Sequence, residues 1–279
     1  MQTDDGGTPL AVTLDWVPPD IDVTVPNAAR MYDCLLGGAH NFAADRELAN
    51  KMEQAVPSVR DGCRVNRAFL RRAVRFMVGS GIRQFLDIGS GIPTVGNVHE
   101  IAQRAAPECR IVYVDKEPVA VAHSDLLLQG NDRAAAIRAD LRDVENILNH
   151  PKTTRLLDFD QPIGLLMVAV LHFIPDSGDP VGILARYRDR LAPGSYLAIS
   201  HMTTSDNVPG LAEAVQLFRS TPTPVYPRSR AEMLRFFAGF ELVEPGLVGC
   251  GFWRPSGPGD ISEDAQMNTL PSGGVGRKL

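Results

Sequence analysis

Asp87-Ile88-Gly89-Ser90-Gly91-Ile92-Pro93-Thr94 stands directly behind the apolar run Ile82 to Leu86, and together they read as a buried strand that breaks into a glycine turn. Glycines two apart let the backbone approach a ligand with no Cβ in the way. The residues that follow, Val95 to Ala106, have helical composition, and Thr94 is placed to cap that helix through its hydroxyl. A second signal lies 24 residues beyond Gly91, where Arg110-Ile111-Val112-Tyr113-Val114 ends at Asp115. In a doubly wound sheet the second strand ends beside the first glycine turn, so a carboxylate there can reach both hydroxyls of a ribose.

The third position of the turn chooses between nucleoside cofactors. The dinucleotide fingerprint wants Gly or Ala where this chain has Thr94, preceded by Pro93, and a bulky residue there crowds the helix start against a pyrophosphate. S-adenosylmethionine (SAM) has no phosphate and needs room only for its amino-acid tail. The turn therefore favours SAM over NAD. A nicotinamide-dependent dehydrogenase is the disfavoured alternative, and the chain also lacks a Tyr-x-x-x-Lys pair after its fourth strand.

Outward from this turn, strand and helix alternate, which implies a parallel sheet. The pattern predicts a helix from Glu117 to Gly130 and a short strand near Ala136 to Ala139. A central strand follows at Pro162 to Val170, covered on both faces because it is nearly all apolar. Next come a helix from Pro180 to Leu191, a fifth strand over Ser195 to Ser200, helices near Gly210 to Ser220 and Ser229 to Ala238, and a strand at Phe240 to Val243. Pro255 to Pro271 reads as a loop. Toward the N-terminus, residues 1–26 read as a flexible arm. Helices are predicted from Ala28 to Leu35, stopped by Gly37-Gly38, then from Ala43 to Gln54 and from Val65 to Val78. The last carries Arg64, Arg67, Arg71, Arg72 and Arg75, read as a solvated face. Residues 27–80 would form a helical cap, and 81–279 the cofactor-binding domain.

Composition narrows the function classes. At 279 residues with 44% hydrophobic content the chain can bury a full core. A net charge of -5 with no sustained basic block disfavours a nucleic-acid partner. Cys34, Cys63, Cys109 and Cys250 are scattered, and the histidines show no ligand spacing, so neither a metal site nor a disulfide framework is suggested. No stretch reaches the ~18 to 20 apolar residues of a membrane span. The expected setting is the cytoplasm, and the expected partner is a small-molecule acceptor.

From Ile82 to about Val248 the chain resembles class I SAM-dependent methyltransferases, on Asp87-Ile88-Gly89-Ser90-Gly91, Asp115, Ala139-Asp140-Leu141 and Leu191-Ala192-Pro193-Gly194. Nearly the whole chain is similar to a largely uncharacterised group of bacterial methyltransferases. Met31-Tyr32-Asp33-Cys34-Leu35-Leu36-Gly37-Gly38, Asn41-Phe42-Ala43-Ala44-Asp45-Arg46, Asn66-Arg67-Ala68-Phe69-Leu70, Asn97-Val98-His99-Glu100 and Leu171-His172-Phe173 carry that similarity. The chain departs from the group at Ala39-His40, where Lys-Asp is common, and at Lys116, where asparagine is common.

The resemblance implies a Rossmann-like three-layer sandwich: a mostly parallel seven-stranded sheet with an antiparallel last strand, here Gly273 to Lys278, and extra N-terminal helices. It implies Gly89, Ser90 and Gly91 beside the methionine moiety of SAM, Asp87 on its ammonium, Asp115 and Lys116 at the ribose, and Asp140 and Leu141 at the adenine.

Methyl transfer is an in-line displacement, so the protein chiefly aligns donor and acceptor and, for a weakly acidic acceptor, removes a proton. His172, after the fourth strand, and His201, ending the fifth, stand at the carboxyl edge where such folds bind ligands. Each is a base or a packing histidine. Tyr32 and Arg46 are the substrate-side candidates in the cap. A non-catalytic SAM-binding module is the alternative function, because the binding residues are clearer than the catalytic ones.

Overall fold

The structure, a computed structural model, describes residues 21–94, 96–204, 208–219 and 221–279. The first twenty residues of the N-terminal arm, with Val95 and Ser220, lie outside the described residues.

Five parallel strands form the frame: β1 (Gln84–Ile88), β2 (Arg110–Asp115), β3 (Ala134–Arg138), β4 (Gly164–Val168) and β5 (Tyr196–Met202). With β6 (Phe240–Leu242), the two-residue β7 (Val248–Gly249) and β8 (Pro271–Lys278), the sheet runs β3-β2-β1-β4-β5-β8-β6, and β7 pairs with β8 off this path. β8 is antiparallel to both β5 and β6, with Ala198 opposite Val275 and Leu242 opposite Gly276. The seven-strand path with an inverted last strand is the expected one; β7 adds a short eighth.

Both faces of the sheet are buried, as apolar residues at successive positions require. Phe85, Ile111, Leu166 and Ala198 face α3 (Val59–Gly79), α4 (Val98–Ala105) and α5 (Pro118–Leu127). Leu86, Val112, Leu165 and Leu197 face α6 (Val144–Asn149), α7 (Pro151–Leu156) and α8 (Pro180–Arg190). Above the carboxyl edge, α1 (Ala28–Leu35), α2 (Ala43–Ala55) and α9 (Leu211–Arg219) share a third apolar cluster built on Met31, Leu35, Met52 and Phe218. The last helix, α10 (Arg230–Leu234), precedes β6.

Three local expectations are corrected. The helix after the glycine turn begins at Val98, so Thr94 is not its cap. Asn97 caps it, and its amide donates to Glu100 Oε2 at 2.9 Å. α3 begins at Val59, six residues before the apolar periodicity becomes clear, and it packs on the sheet as well as under the cap. Its arginines are not all solvated: Arg72 is buried, donating to the Trp253 carbonyl at 2.7 Å and pairing with Asp260 at 3.2 Å. Among the described residues no helix is long and apolar enough to cross a membrane, and no cluster of His, Cys, Asp and Glu is set to hold a metal ion.

Candidate active site

A cavity of about 400 Å³ opens along the carboxyl edge of the sheet, between the strand-end turns and the cap. Its lining includes Asp87, Gly89, Ser90, Gly91, Asp115, Lys116, Asp140 and Leu141, and also His172, His201 and Tyr32. Arg46 is absent from that wall: its exposed guanidinium donates to the Asn41 carbonyl at 2.8 Å and holds the turn before α2.

The glycine turn is built by two different demands. Gly89 and Gly91 both have positive φ, 71° and 66°. A Cβ on Gly89 would meet Val170 Cγ2 at 2.2 Å, whereas one on Gly91 would meet nothing within 4 Å. The first glycine lets the turn press onto β4's exit, and the second leaves backbone open to the cavity. Asp115 ties the turn to β2: its Oδ2 accepts from the Gly91 amide at 2.7 Å and its Oδ1 from the Glu117 amide at 2.8 Å. Burial raises the Asp115 carboxyl above its ordinary pKa against the pull of these amides. Asp87 is more deeply placed. Burial pushes its pKa up to about 7, with Arg67 and Asp115 pulling in opposite directions. A carboxylate so poorly solvated, facing a cavity, is a ready partner for a cation. Asp140 is held by Arg142, whose Nε and Nη2 lie 2.8 and 2.6 Å from its two oxygens, and that guanidinium keeps the carboxyl below its usual range.

At the other end, β4 leaves the sheet through Ala169, whose φ of 56° is unusual for a residue with a Cβ. The strained exit is over-determined by a chain of hydrogen bonds. The Ala169 amide donates to Ser200 Oγ at 3.0 Å, Ser200 Oγ to Asn66 Oδ1 at 2.5 Å, Asn66 Nδ2 to Tyr32 Oη at 2.9 Å, and Tyr32 Oη to the Cys63 carbonyl at 3.1 Å. Burial raises the Tyr32 phenol above its ordinary pKa, so it stays a donor. Two strand ends, α3 and α1 are thereby tied together.

The two histidines differ in what their nitrogens do. His201 Nδ1 lies 2.8 Å from the Met202 carbonyl and Nε2 lies 3.0 Å from Arg228 Nη1. A carbonyl only accepts and a guanidinium only donates, so Nδ1 carries the proton and both nitrogens are engaged. Burial lowers His201 to a pKa of about 4. His172 Nδ1 is buried with no hydrogen-bond partner among the described residues, and burial, then His201 and Arg228, hold its pKa well below the ordinary value. Buried Arg228 fixes the turn that carries it, donating to the carbonyls of Leu171 at 3.1 Å and Ile174 at 2.7 Å; the Tyr226 amide donates to the His172 carbonyl at 2.7 Å.

A further ionic group joins the cap to the segment after β2. Buried Arg30 of α1 reaches Asp45 of α2 at 2.9 Å and Glu117, two residues past Asp115, at 3.1 Å. Sequence reasoning missed Arg30, Arg228, Ser200 and Ala169. Their signal is long-range pairing that no local pattern carries; Asn66 alone stood in a recognisable motif.

The family model described as S-adenosyl methyltransferase matches residues 15–279. Two solved structures are similar over nearly their full length. A Thermobifida fusca YX protein assigned as a methyltransferase is 41% identical, covering 94% of this chain and 98% of its own, with a TM-score of 0.88. A DUF574 family protein from Streptomyces avermitilis MA-4680 is 38% identical, covering 92% of this chain and 99% of its own, with a TM-score of 0.89. No curated protein matches in sequence.

Proposed function

The chain belongs to the S-adenosyl methyltransferase family, and from that premise we propose that it methylates a small molecule held under the helical cap, with His172 as the base. The observation that carries this reading is a single cavity whose wall includes both the glycine turn and His172, whose buried Nδ1 has no partner among the described residues.

The cofactor end suits SAM. Gly91 leaves backbone accessible, Asp87 offers a buried carboxylate to the ammonium, and Asp115 offers its remaining lone pairs to the ribose hydroxyls. Ser90 and Lys116 flank these two carboxylates, and Asp140 and Leu141 border the adenine. When bound, SAM supplies an electrophilic methyl on a sulfonium. The protein then has to exclude water, align the acceptor and take up a proton. His172 is suited to that last task, because burial keeps it neutral at physiological pH and leaves Nδ1 unengaged. His201 is better suited to positioning: its two engaged nitrogens brace Arg228, and Arg228 braces the His172 turn.

Titration calorimetry with S-adenosylhomocysteine and with NAD, on the wild type and Asp115→Ala, tests the cofactor end. Saturable S-adenosylhomocysteine binding that the substitution weakens, without NAD binding, is expected. His172→Ala should leave that affinity within about twofold while lowering turnover on any acceptor by about a hundredfold or more. NAD binding, or no binding by folded protein, sinks the assignment.

A further inference from the structure

Resting on the methyltransferase reading of this cavity, we propose that the acceptor is a neutral, largely apolar alcohol or phenol whose hydroxyl faces His172 Nδ1 and whose second polar atom meets Thr223 Oγ1.

The first observation is where charge stops. Asp87, Asp115, Lys116, Glu117, Asp140 and Arg142 stand at the carboxyl ends of β1, β2 and β3 or on the turns that follow, and Arg67 donates to the Gly96 carbonyl at 3.0 Å beside the glycine turn. Beyond them, between the cap and the segment before α10, the wall is formed by Leu35, Leu36, Met52, Phe173, Phe218 and Val225, with no charged side chain among the described residues. The two histidines nearby are held neutral by burial. A carboxylate, phosphate or ammonium seated there would lose its water, and the nearest cation, Arg228, is already taken by Asp176 at 2.7 Å and by the Leu171 and Ile174 carbonyls.

The second observation is two orphaned polar atoms. His172 Nδ1 and Thr223 Oγ1 are buried without partners among the described residues, in residues each 7% exposed and both on the cavity wall. The bond from the Tyr226 amide to the His172 carbonyl at 2.7 Å joins the segments that carry them. Buried polar atoms are nearly always paired, so a ligand that supplies both partners is the one this wall is built to accept. With the His172 proton on Nε2, Nδ1 offers a lone pair to the hydroxyl. On transfer, the hydroxyl oxygen bonds the methyl as the sulfur–carbon bond breaks, its proton passes to His172, and the sulfur keeps the electron pair as a neutral thioether.

Two matched probe sets, each carrying an ether oxygen as the second polar atom, test this: 6-methoxy-2-naphthol, its naphthoate and its naphthylmethylamine analogue, and 8-methoxyoctanol, 8-methoxyoctanoate and 8-methoxyoctylamine, titrated into protein saturated with S-adenosylhomocysteine. At least one alcohol should bind, about a hundredfold tighter than its charged counterparts. Thr223→Val should weaken it about fivefold without altering S-adenosylhomocysteine affinity, and Thr223→Ser should restore it. A charged probe that binds as tightly as its alcohol, no binding by either alcohol, or indifference to Thr223→Val overturns the proposal. Failure to bind S-adenosylhomocysteine is a separate result that removes the methyltransferase site, and this acceptor with it.

Discussion

Asp87 is the residue on which the proposed cofactor end turns. Its carboxyl titrates at about 7 in the fold against an ordinary value of 3.8, because burial strips its water. Between those values the folded chain binds more protons than the unfolded one, so ionisation of Asp87 costs the empty protein stability as pH rises from about 4 to 7. An ammonium placed against it reverses that preference, since the ligand selects the ionised form. Affinity for S-adenosylhomocysteine should therefore rise by up to about tenfold from pH 6 to 8, and Asp87→Asn should bind weakly with a flat profile. Calorimetry across that range checks it; a flat wild-type profile would mean that the ammonium lies elsewhere. At this scale the residues that share the candidate site's glycine-turn wall were legible in the sequence, because glycines and acids at strand ends mark themselves by spacing. The acceptor end was not. His172 and His201 look alike in sequence, and only the partners of their four nitrogens separate a braced histidine from an open one.

At the scale of elements, a buried ionic group ties α1 and α2 of the cap to the segment before α5. Arg30 on α1, Asp45 on α2 and Glu117 before α5 are all buried, and the Arg30 guanidinium also lies 5.2 Å from the centroid of the Phe42 ring. Removing the cation leaves two carboxylates without their charge partner, which costs far more than an exposed pair would. Arg30→Met should lower stability by about 3 to 5 kcal/mol in urea unfolding. A loss under about 1 kcal/mol would show that apolar packing of α1 and α2 suffices to anchor the cap. The helices themselves were readable, α1 from apolar spacing at Ala28, Met31, Tyr32 and Leu35 and α2 from the helical composition of its residues. Their placement was not, because an arginine that reaches across 87 residues to Glu117 leaves no periodic trace. α3 shows the same limit in reverse: Arg72 follows a charged stripe and yet serves the carbonyls of Cys250 and Trp253.

For the whole molecule, β8 is the strand that joins β6 to the parallel frame. By composition Gly273-Gly274-Val275-Gly276 reads as a flexible tail, and only the family resemblance implied a strand. The structure supplies the physical reason: these glycines are there for space. A Cβ on Gly273 would meet Phe69 Cζ and Cys250 Sγ at 2.9 Å each, and one on Gly276 would meet Phe240 Cβ at 2.8 Å. Side chains of α3, of β6 and of the segments at Phe237 and Cys250 lie on β8 so closely that only backbone fits there. Gly273→Val should thus cost about 1 to 3 kcal/mol through overpacking, seen as a lower urea midpoint with an unchanged slope. An unchanged midpoint would mean that Phe69 can swing aside. Cys63, finally, gives the cavity a chemical clock. Its carbonyl takes the Tyr32 hydroxyl while its own thiol sits buried on the cavity wall, with a pKa pushed up to about 12 by burial. A thiol so rarely ionised and so enclosed reacts only in the moments when local opening exposes it to solvent, so its alkylation rate counts those moments, and a ligand filling the cavity should slow it.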